Sequence, residues 1–219
     1  MKFVIITKKK WNIKNFSKLD NNFAVLKNYN YNKIKKLNPK ILFFIHWSKR
    51  VPYEIYSKFL CIQFHTSDLP KFKGGSPIQN QILRGIKKTK ITAFKISKQL
   101  DNGDICLKRN FILNGNAKDI FIRMEKICIE MILKIKKLNK LVFKKQIGKS
   151  SFYKRRKLSE SELKFKKEKN LKYIYDFVRA NDAPGYPAAF INYNNFKLEL
   201  YDAKLVSKKL YAKIKISKK

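Results

Sequence analysis

Five short apolar runs separated by stretches of helical periodicity constrain this chain more than any other feature. The runs are Lys2–Thr7, Phe23–Leu26, Lys40–Trp47, Leu60–His65 and Ile91–Lys98. Helical patterns fill the intervals at Ile13–Leu19, Tyr31–Leu37, Tyr53–Lys58 and Pro77–Arg84. Strands that alternate with helices are joined by crossovers, so the pattern predicts an α/β fold built on a mainly parallel sheet. Asn38-Pro39 and Val51-Pro52 mark element boundaries, because the residue before proline resists the helical region. Leu100–Asp104 reads as a turn into a further strand, Ile105–Ile112. Over Asp119–Leu138, the residues Ile120, Met124, Ile127, Met131 and Ile135 fall on one stripe, which predicts a long helix packed on the sheet.

From Lys144 to Lys169 the periodicity gives way to Lys, Ser and Glu, with a basic knot at Lys154-Arg155-Arg156-Lys157. A helix over Leu171–Ala180 follows, then a proline-rich turn. Short strands are predicted at Ala189–Tyr193, Lys197–Tyr201 and Leu210–Ile216. This gives a main domain over residues 1–145, a linker over 146–165 and a small C-terminal α+β extension over 166–219.

Composition removes several classes. The longest apolar stretches fall far short of the roughly 20 residues needed to span a bilayer, so no membrane span is expected. The apolar run at the N-terminus is too short for a secretory leader. Cys61, Cys106 and Cys128 lie in apolar runs without metal-ligand spacing, as small core residues do, and a cytoplasmic location is expected. The formal net charge of +37 invites a nucleic-acid reading. Yet only seven of the 52 basic residues are arginine, the residue that reads bases and phosphates by its planar fork. The other 45 are lysines spread along the whole chain, among abundant Asn, Ile, Tyr and Phe. That mixture reads as the imprint of an AT-rich genome, and specific nucleic-acid binding is not expected. A GxGxxG or P-loop fingerprint is missing, which argues against dinucleotide or nucleoside-triphosphate chemistry. Ligands of such a sheet still belong at the carboxyl ends of its strands.

Two residues stand where chemistry could occur. His65 ends a predicted strand and opens the loop Thr66-Ser67-Asp68-Leu69-Pro70-Lys71-Phe72-Lys73-Gly74-Gly75-Ser76-Pro77. It reads equally as a general acid–base or as a structural histidine bonded to the loop backbone. Asp101 opens the turn after Ile91–Lys98, expected at a carboxyl end on the same edge. It could orient the imidazole, or simply be a turn aspartate.

The run Phe64–Ile78, with its Phe64-His65-Thr66-Ser67-Asp68-Leu69-Pro70 start, resembles the signature loop of the formyltransferase family. Leu100-Asp101-Asn102-Gly103-Asp104 resembles that family's Leu-Asp-Thr-Gly-Asp motif, and it follows His65 by the expected 36 residues. Arg179-Ala180…Pro184-Gly185-Tyr186-Pro187-Ala188-Ala189-Phe190 is similar to a C-terminal segment of sugar formyltransferases. The resemblance implies a Rossmann-like formyltransferase fold and 10-formyltetrahydrofolate as co-substrate. His65 and Asp101 would be catalytic. Gln63 occupies the place of the family's catalytic asparagine, offering the same amide on an arm one methylene longer. The pterin would lie against Trp47, Lys49, Arg50 and Val51, with Lys98 and Leu100 closing the other side. His46 is expected to be structural.

Among acceptors, the resemblance points to an amino-sugar nucleotide, as in surface-glycan and lipopolysaccharide biosynthesis. Gly74, Gly75, Ser76 and Pro77 would line its site, and Arg155 and Arg156 would meet its diphosphate. A methionyl-tRNA acceptor is the alternative, disfavoured because only about 55 residues follow position 165, fewer than that subfamily's C-terminal barrel needs. A non-catalytic folate- or polyanion-binding member is a further alternative. No metal is expected, and the resemblance leaves room for a homodimer.

Overall fold

The computed structural model describes residues 2–165 and 170–219. The end of the polar stretch Lys144–Lys169, positions 166–169, lies outside the described residues. In chain order the elements are β1 (Phe3–Ile6), α1 (Lys10–Phe16), β2 (Phe23–Leu26), α2 (Tyr31–Leu37), β3 (Ile41–Phe44) and α3 (Tyr53–Tyr56). Then come β4 (Cys61–His65), β5 (Lys73–Gly74), α4 (Pro77–Ile82), β6 (Lys88–Lys95), β7 (Ile105–Ile112) and α5 (Ala117–Lys137). The chain finishes with β8 (Phe152–Tyr153), α6 (Leu171–Asn181), β9 (Ala189–Tyr193), β10 (Phe196–Val206) and β11 (Lys209–Lys218). They form two compact units, one of residues 1–74, 90–111 and 124–152, the other of residues 75–89, 112–123 and 153–219.

The first unit holds a six-stranded sheet in the order β2-β1-β3-β4-β6-β7. Its first four strands are parallel, and β6 runs antiparallel to β4. Every residue of β1 and β3 is buried, as expected for strands covered on both faces. Each such Ile, Leu or Phe contributes roughly 1.5–3 kcal/mol on burial. Val4, Ile6, Leu42, Phe44, Trp47 and Ile55 belong to one core cluster. α2 starts where Asn30 accepts the Lys33 N–H (2.9 Å) and stops at Asn38, which takes a left-handed φ of 42° before Pro39. In α5, Met124, Cys128, Met131, Ile132 and Ile135 are buried. Ile127, placed on the stripe from its spacing, is only half-buried.

In the second unit α6 packs on an antiparallel sheet ordered β11-β10-β9. Leu163, Phe177, Val178, Ala189 and Leu200 form its core. Arg179 is buried and holds this unit together. Its Nε donates to Asp176 Oδ1 (2.6 Å) and its Nη1 to the carbonyls of Leu113 (2.7 Å) and Gly115 (2.8 Å). Among the described residues, no helix is long and apolar enough to cross a membrane.

Candidate active site

β4 alternates its side chains between the faces of the sheet, so Gln63 and His65 fall on the same side. His65 is 6% exposed, and its Nε2–H donates to the Phe72 carbonyl at 2.7 Å. That bond leaves Nδ1 to face Asp101, whose Oδ2 lies 3.7 Å away. Asp101 Oδ2 also accepts the Gly74 N–H at 2.8 Å, while Asp101 Oδ1 is buried without a hydrogen-bond partner. A buried orphan carboxylate oxygen is costly unless something fills the gap. It marks the place where a water or a reacting proton belongs.

The route by which Asp101 reaches His65 differs from expectation. β6 pairs antiparallel, Thr92 opposite His65 and Lys95 opposite Ile62, so its carboxyl end lies beside the amino end of β4. Asp101 therefore does not follow a carboxyl strand end on the same edge. The connection to β7 doubles back and carries Asp101 to the histidine. Asp101 itself takes φ 51°, the left-handed region that aspartate tolerates better than most residues. Gly103 allows the close approach: a Cβ there would sit 1.6 Å from the Lys95 carbonyl oxygen.

Segments without motif resemblance complete the support. Gln146 Nε2 donates to the carbonyls of Asp101 and Gly103, both at 2.9 Å. Ser151 receives the Phe72 N–H on its Oγ (2.9 Å) and the Lys73 N–H on its carbonyl (2.8 Å). Lys73 is buried and its Nζ donates to Asn102 Oδ1 at 2.5 Å. Residues 146–152, expected in a linker, thus lie within the first unit and steady the loops that carry Asp101 and Phe72. Nothing in their composition marks them, because the glutamine and serines work on backbone groups distant in sequence. Burial pushes the Asp68 carboxyl up, but Lys108 and Lys90 outweigh it and hold the group below the usual carboxylate range.

A cleft of about 320 Å³ opens beside these groups. Gln63 and Asp101 line it, as do Lys49, Arg50, Val51, Lys98 and Leu100 from the predicted co-substrate set. Its apolar wall includes Phe94 and Ile96, and such a mixed slot fits a flat heteroaromatic ring with polar edges. Trp47 is not among the lining residues. Its ring is 7% exposed and packs edge-on against Phe44 (5.7 Å) and Tyr29 (5.8 Å), so it serves the core. His46 is half-buried, and its Nδ1 lies 2.6 Å from Asn12 Nδ2. Burial, with Lys9 nearby, depresses its pKa to about 3 and keeps it neutral.

The predicted acceptor residues divide between the units. Gly74 stays with His65, whereas Gly75, Ser76, Pro77, Arg155 and Arg156 belong to the second unit. There a Cβ on Gly75 would meet the Arg155 backbone at 2.4 Å, and Ser76 Oγ accepts the Arg156 N–H at 3.2 Å. Arg156 is half-buried: Nη2 donates to the Glu160 carbonyl, and the guanidinium lies 5.8 Å from the Phe177 ring centroid. Burial lowers its pKa against the opposing pull of Glu160. Arg156 thus spends part of its guanidinium on groups of its own unit. Arg155 is exposed.

A histidine and a carboxylate facing each other beside a cleft, on a mainly parallel sheet, mark an α/β protein with a candidate acid–base site. Comparison with known proteins makes the class particular. Residues 4–118 match the Formyl transferase family and residues 158–217 the C-terminal domain of methionyl-tRNA formyltransferase. The chain belongs to the formyl transferase family, whose formyl donor is 10-formyltetrahydrofolate. It is similar to a solved structure of methionyl-tRNA formyltransferase from Clostridium thermocellum, at 39% identity and a TM-score of 0.91 over 100% of both chains. It is also similar to the methionyl-tRNA formyltransferase of Sulfurihydrogenibium sp. (strain YO3AOP1), 31% identical over 89% of this chain and 62% of that one. Across the curated relatives it matches, the chain spans from 39% to 62% of their length.

These likenesses overturn the amino-sugar-nucleotide expectation. A sugar N-formyltransferase from Shewanella sp FDAARGOS_354 shares only 15% identity, at a TM-score of 0.65 over 94% of this chain and 99% of that one, which is a likeness of fold alone. The expectation rested on a tail judged too short for a tRNA enzyme. Yet that tail is the part that matches a methionyl-tRNA formyltransferase domain.

Proposed function

We propose that this protein transfers the formyl group of 10-formyltetrahydrofolate to the α-amine of methionyl-tRNA. The observation that carries the reading is residues 158–217, which match that C-terminal domain and follow an intact histidine–aspartate pair. The face of β10 and β11 gives further support. Lys204, Tyr211, Lys213 and Lys215 share it with Tyr201, and Tyr211 is 57% exposed. Lysines interleaved with aromatic rings suit a nucleic-acid backbone and its bases, although Glu199 and Asp202 pair with part of this charge.

The donor supplies an activated formyl carbonyl and a nitrogen able to leave. Gln63 lines the cleft, and its amide would donate to the formyl oxygen as charge develops there during attack by the neutral amine. With Nε2–H committed to Phe72, His65 has Nδ1 free to take the amine proton. Asp101 then stabilises the resulting imidazolium and, through its orphan Oδ1, holds the water that returns the proton to the leaving nitrogen. The loops at residues 49–52 and 98–100, which line the cleft, would flank the ring of the donor.

The test is transfer of labelled formyl from 10-formyltetrahydrofolate to initiator methionyl-tRNA, with unacylated tRNA as the control. Acid-precipitable label, as formyl-methionyl-tRNA, that depends on His65 is the expected result. Saturating enzyme that leaves methionyl-tRNA unformylated refutes the reading.

A further inference from the structure

Asp101 faces His65 from a backbone conformation that aspartate alone does not favour. Its φ of 51° lies in the left-handed region, and such a conformation persists only where the surroundings impose it. Gly74 holds the Asp101 carboxylate and Lys73 the Asn102 side chain, so both of these contacts act on side chains. A third contact grips the backbone of the turn. Gln146 Nε2 carries two hydrogens, and it donates to the carbonyls of Asp101 and Gly103, both at 2.9 Å. The two carbonyls bracket Asn102, so one planar amide pins the turn on either side of it. Fixing the Asp101 carbonyl fixes the peptide plane that follows Asp101, and with it the ψ that accompanies the left-handed φ. The amide has one workable orientation, because turned over it would set its oxygen against two carbonyl oxygens. Its reach is decided two residues earlier, where Lys144 and Ile105 exchange both backbone hydrogen bonds, at 2.8 and 2.9 Å. Ile105 begins β7, so the strand that leaves the turn anchors the segment that holds it. All of these residues belong to the first unit, and Gln146 is not among the residues that line the cleft.

We propose that Gln146 is a positioning residue for formyl transfer, its two donations setting the backbone of Asp101 and thereby the 3.7 Å approach of the carboxylate to His65. The inference rests on the acid–base reading of His65 and Asp101 above, and extends it to a side chain outside the cleft. Without the amide, Asp101 relaxes toward the negative φ that aspartate prefers, and its carboxylate turns away from the imidazole. A misplacement of about 1 Å lowers turnover about 100-fold. The donor meets the walls of the cleft and not Gln146, so its KM stays near that of the parent.

Two variants of the full chain test this. Gln146→Met keeps the length of the side chain and removes both donors, whereas Gln146→Asn keeps the amide and draws it back by one methylene. In formyl transfer to initiator methionyl-tRNA, Gln146→Met should lower kcat by about 10-fold to 100-fold with KM for the donor near the parent value, and Gln146→Asn by less. Asn30→Ala removes the cap of α2, which lowers stability away from the turn, and should keep the parent kcat. A second readout needs no substrate. The chain has two histidines, and His46, with a pKa of about 3, stays neutral, so imidazole resonances that respond to pH from about pH 5 upward belong to His65. In Gln146→Met these resonances should follow pH as they do in Asp101→Asn and not as in the parent. A parent-like kcat in Gln146→Met overturns the proposal. So does a lowered kcat with a parent-like His65 response, which marks a merely structural role. If Gln146→Met fails to fold, Gln146→Asn carries both readouts. A parent that leaves methionyl-tRNA unformylated refutes the proposed function, while the His65 resonances still decide whether Gln146 holds Asp101.

Discussion

Replacing Gly103 by alanine tests how tightly Asp101, the proposed catalytic aspartate, is held. The added Cβ would lie 1.6 Å from the Lys95 carbonyl oxygen and 2.8 Å from its carbon. Ordinary contact begins near 3.4 Å, so the two must separate by about 1.8 Å. Lys95 cannot supply that movement. It ends β6, and the Ile96 N–H beyond it donates to Cys61 at 2.8 Å. The turn must move instead, and Asp101 lies two residues away with its carboxylate 3.7 Å from His65. Overpacking of this kind costs about 1–3 kcal/mol, a fall of roughly 2–10 °C in Tm for a chain of this size. A shift of about 1 Å in a catalytic group lowers turnover about 100-fold. The assay pairs a thermal melt with formyl transfer at 15 °C, where the variant stays folded. Parent-like turnover would show that the position of Asp101 does not matter, and parent-like Tm would show that the turn is not held.

Three further outcomes follow. His65→Ala should abolish transfer, and Asp101→Asn should lower it by at least about 100-fold, with folate binding retained in both by calorimetry; activity surviving His65→Ala refutes the mechanism. Arg179→Lys should destabilise the chain by about 2–4 kcal/mol, read as a lower urea midpoint, because one ammonium cannot replace three separate donations. The third outcome concerns His46, whose folded pKa of about 3 lies below the unfolded value of 6.5. Only the unfolded chain then takes up this proton as pH falls from 6.5 toward 3, so stability drops through that window and is unaffected above it. Between pH 7 and pH 5 this amounts to about 2 kcal/mol, and His46→Asn should flatten the dependence measured by urea melts.

The centre of the sheet was readable because β1 and β3 are buried along their whole length. Phe23–Leu26 and Ile105–Ile112 run as their apolar spacing dictates, and Tyr31–Leu37 is bounded by Asn30 and Asn38-Pro39. Elsewhere tertiary geometry decides. β3 stops at Phe44, short of Trp47, where His46 takes φ 50° and turns the chain. α1 begins at Lys10 without a side-chain cap, so no residue announces it. β6 spans Lys88–Lys95, three residues earlier than Ile91–Lys98, since pairing with its neighbours draws in polar residues that hydropathy excludes. In the site, His65 and Asp101 were legible from their motifs. Gln146 and Ser151 were not, because a side chain that serves a distant backbone carbonyl or amide leaves no periodic trace. Arg155-Arg156 misled for the opposite reason: adjacency in sequence says nothing about the Glu160 carbonyl and Phe177 ring that engage one of the two.

β11 borders its sheet on one side only, and its ten residues therefore leave a row of amides and carbonyls open to any other extended chain. Ile214 and Ile216 are more than half exposed along it, the composition of a nucleus for fibrillar growth. Lys209, Lys213, Lys215 and Lys218 interrupt that row. A second copy laid in register would stack ammonium on ammonium at about 4.8 Å, with repulsion of nearly 1 kcal/mol per pair even in water. These lysines thus act as gatekeepers. They let an open-edged sheet persist in a crowded cell without templating its own precipitation.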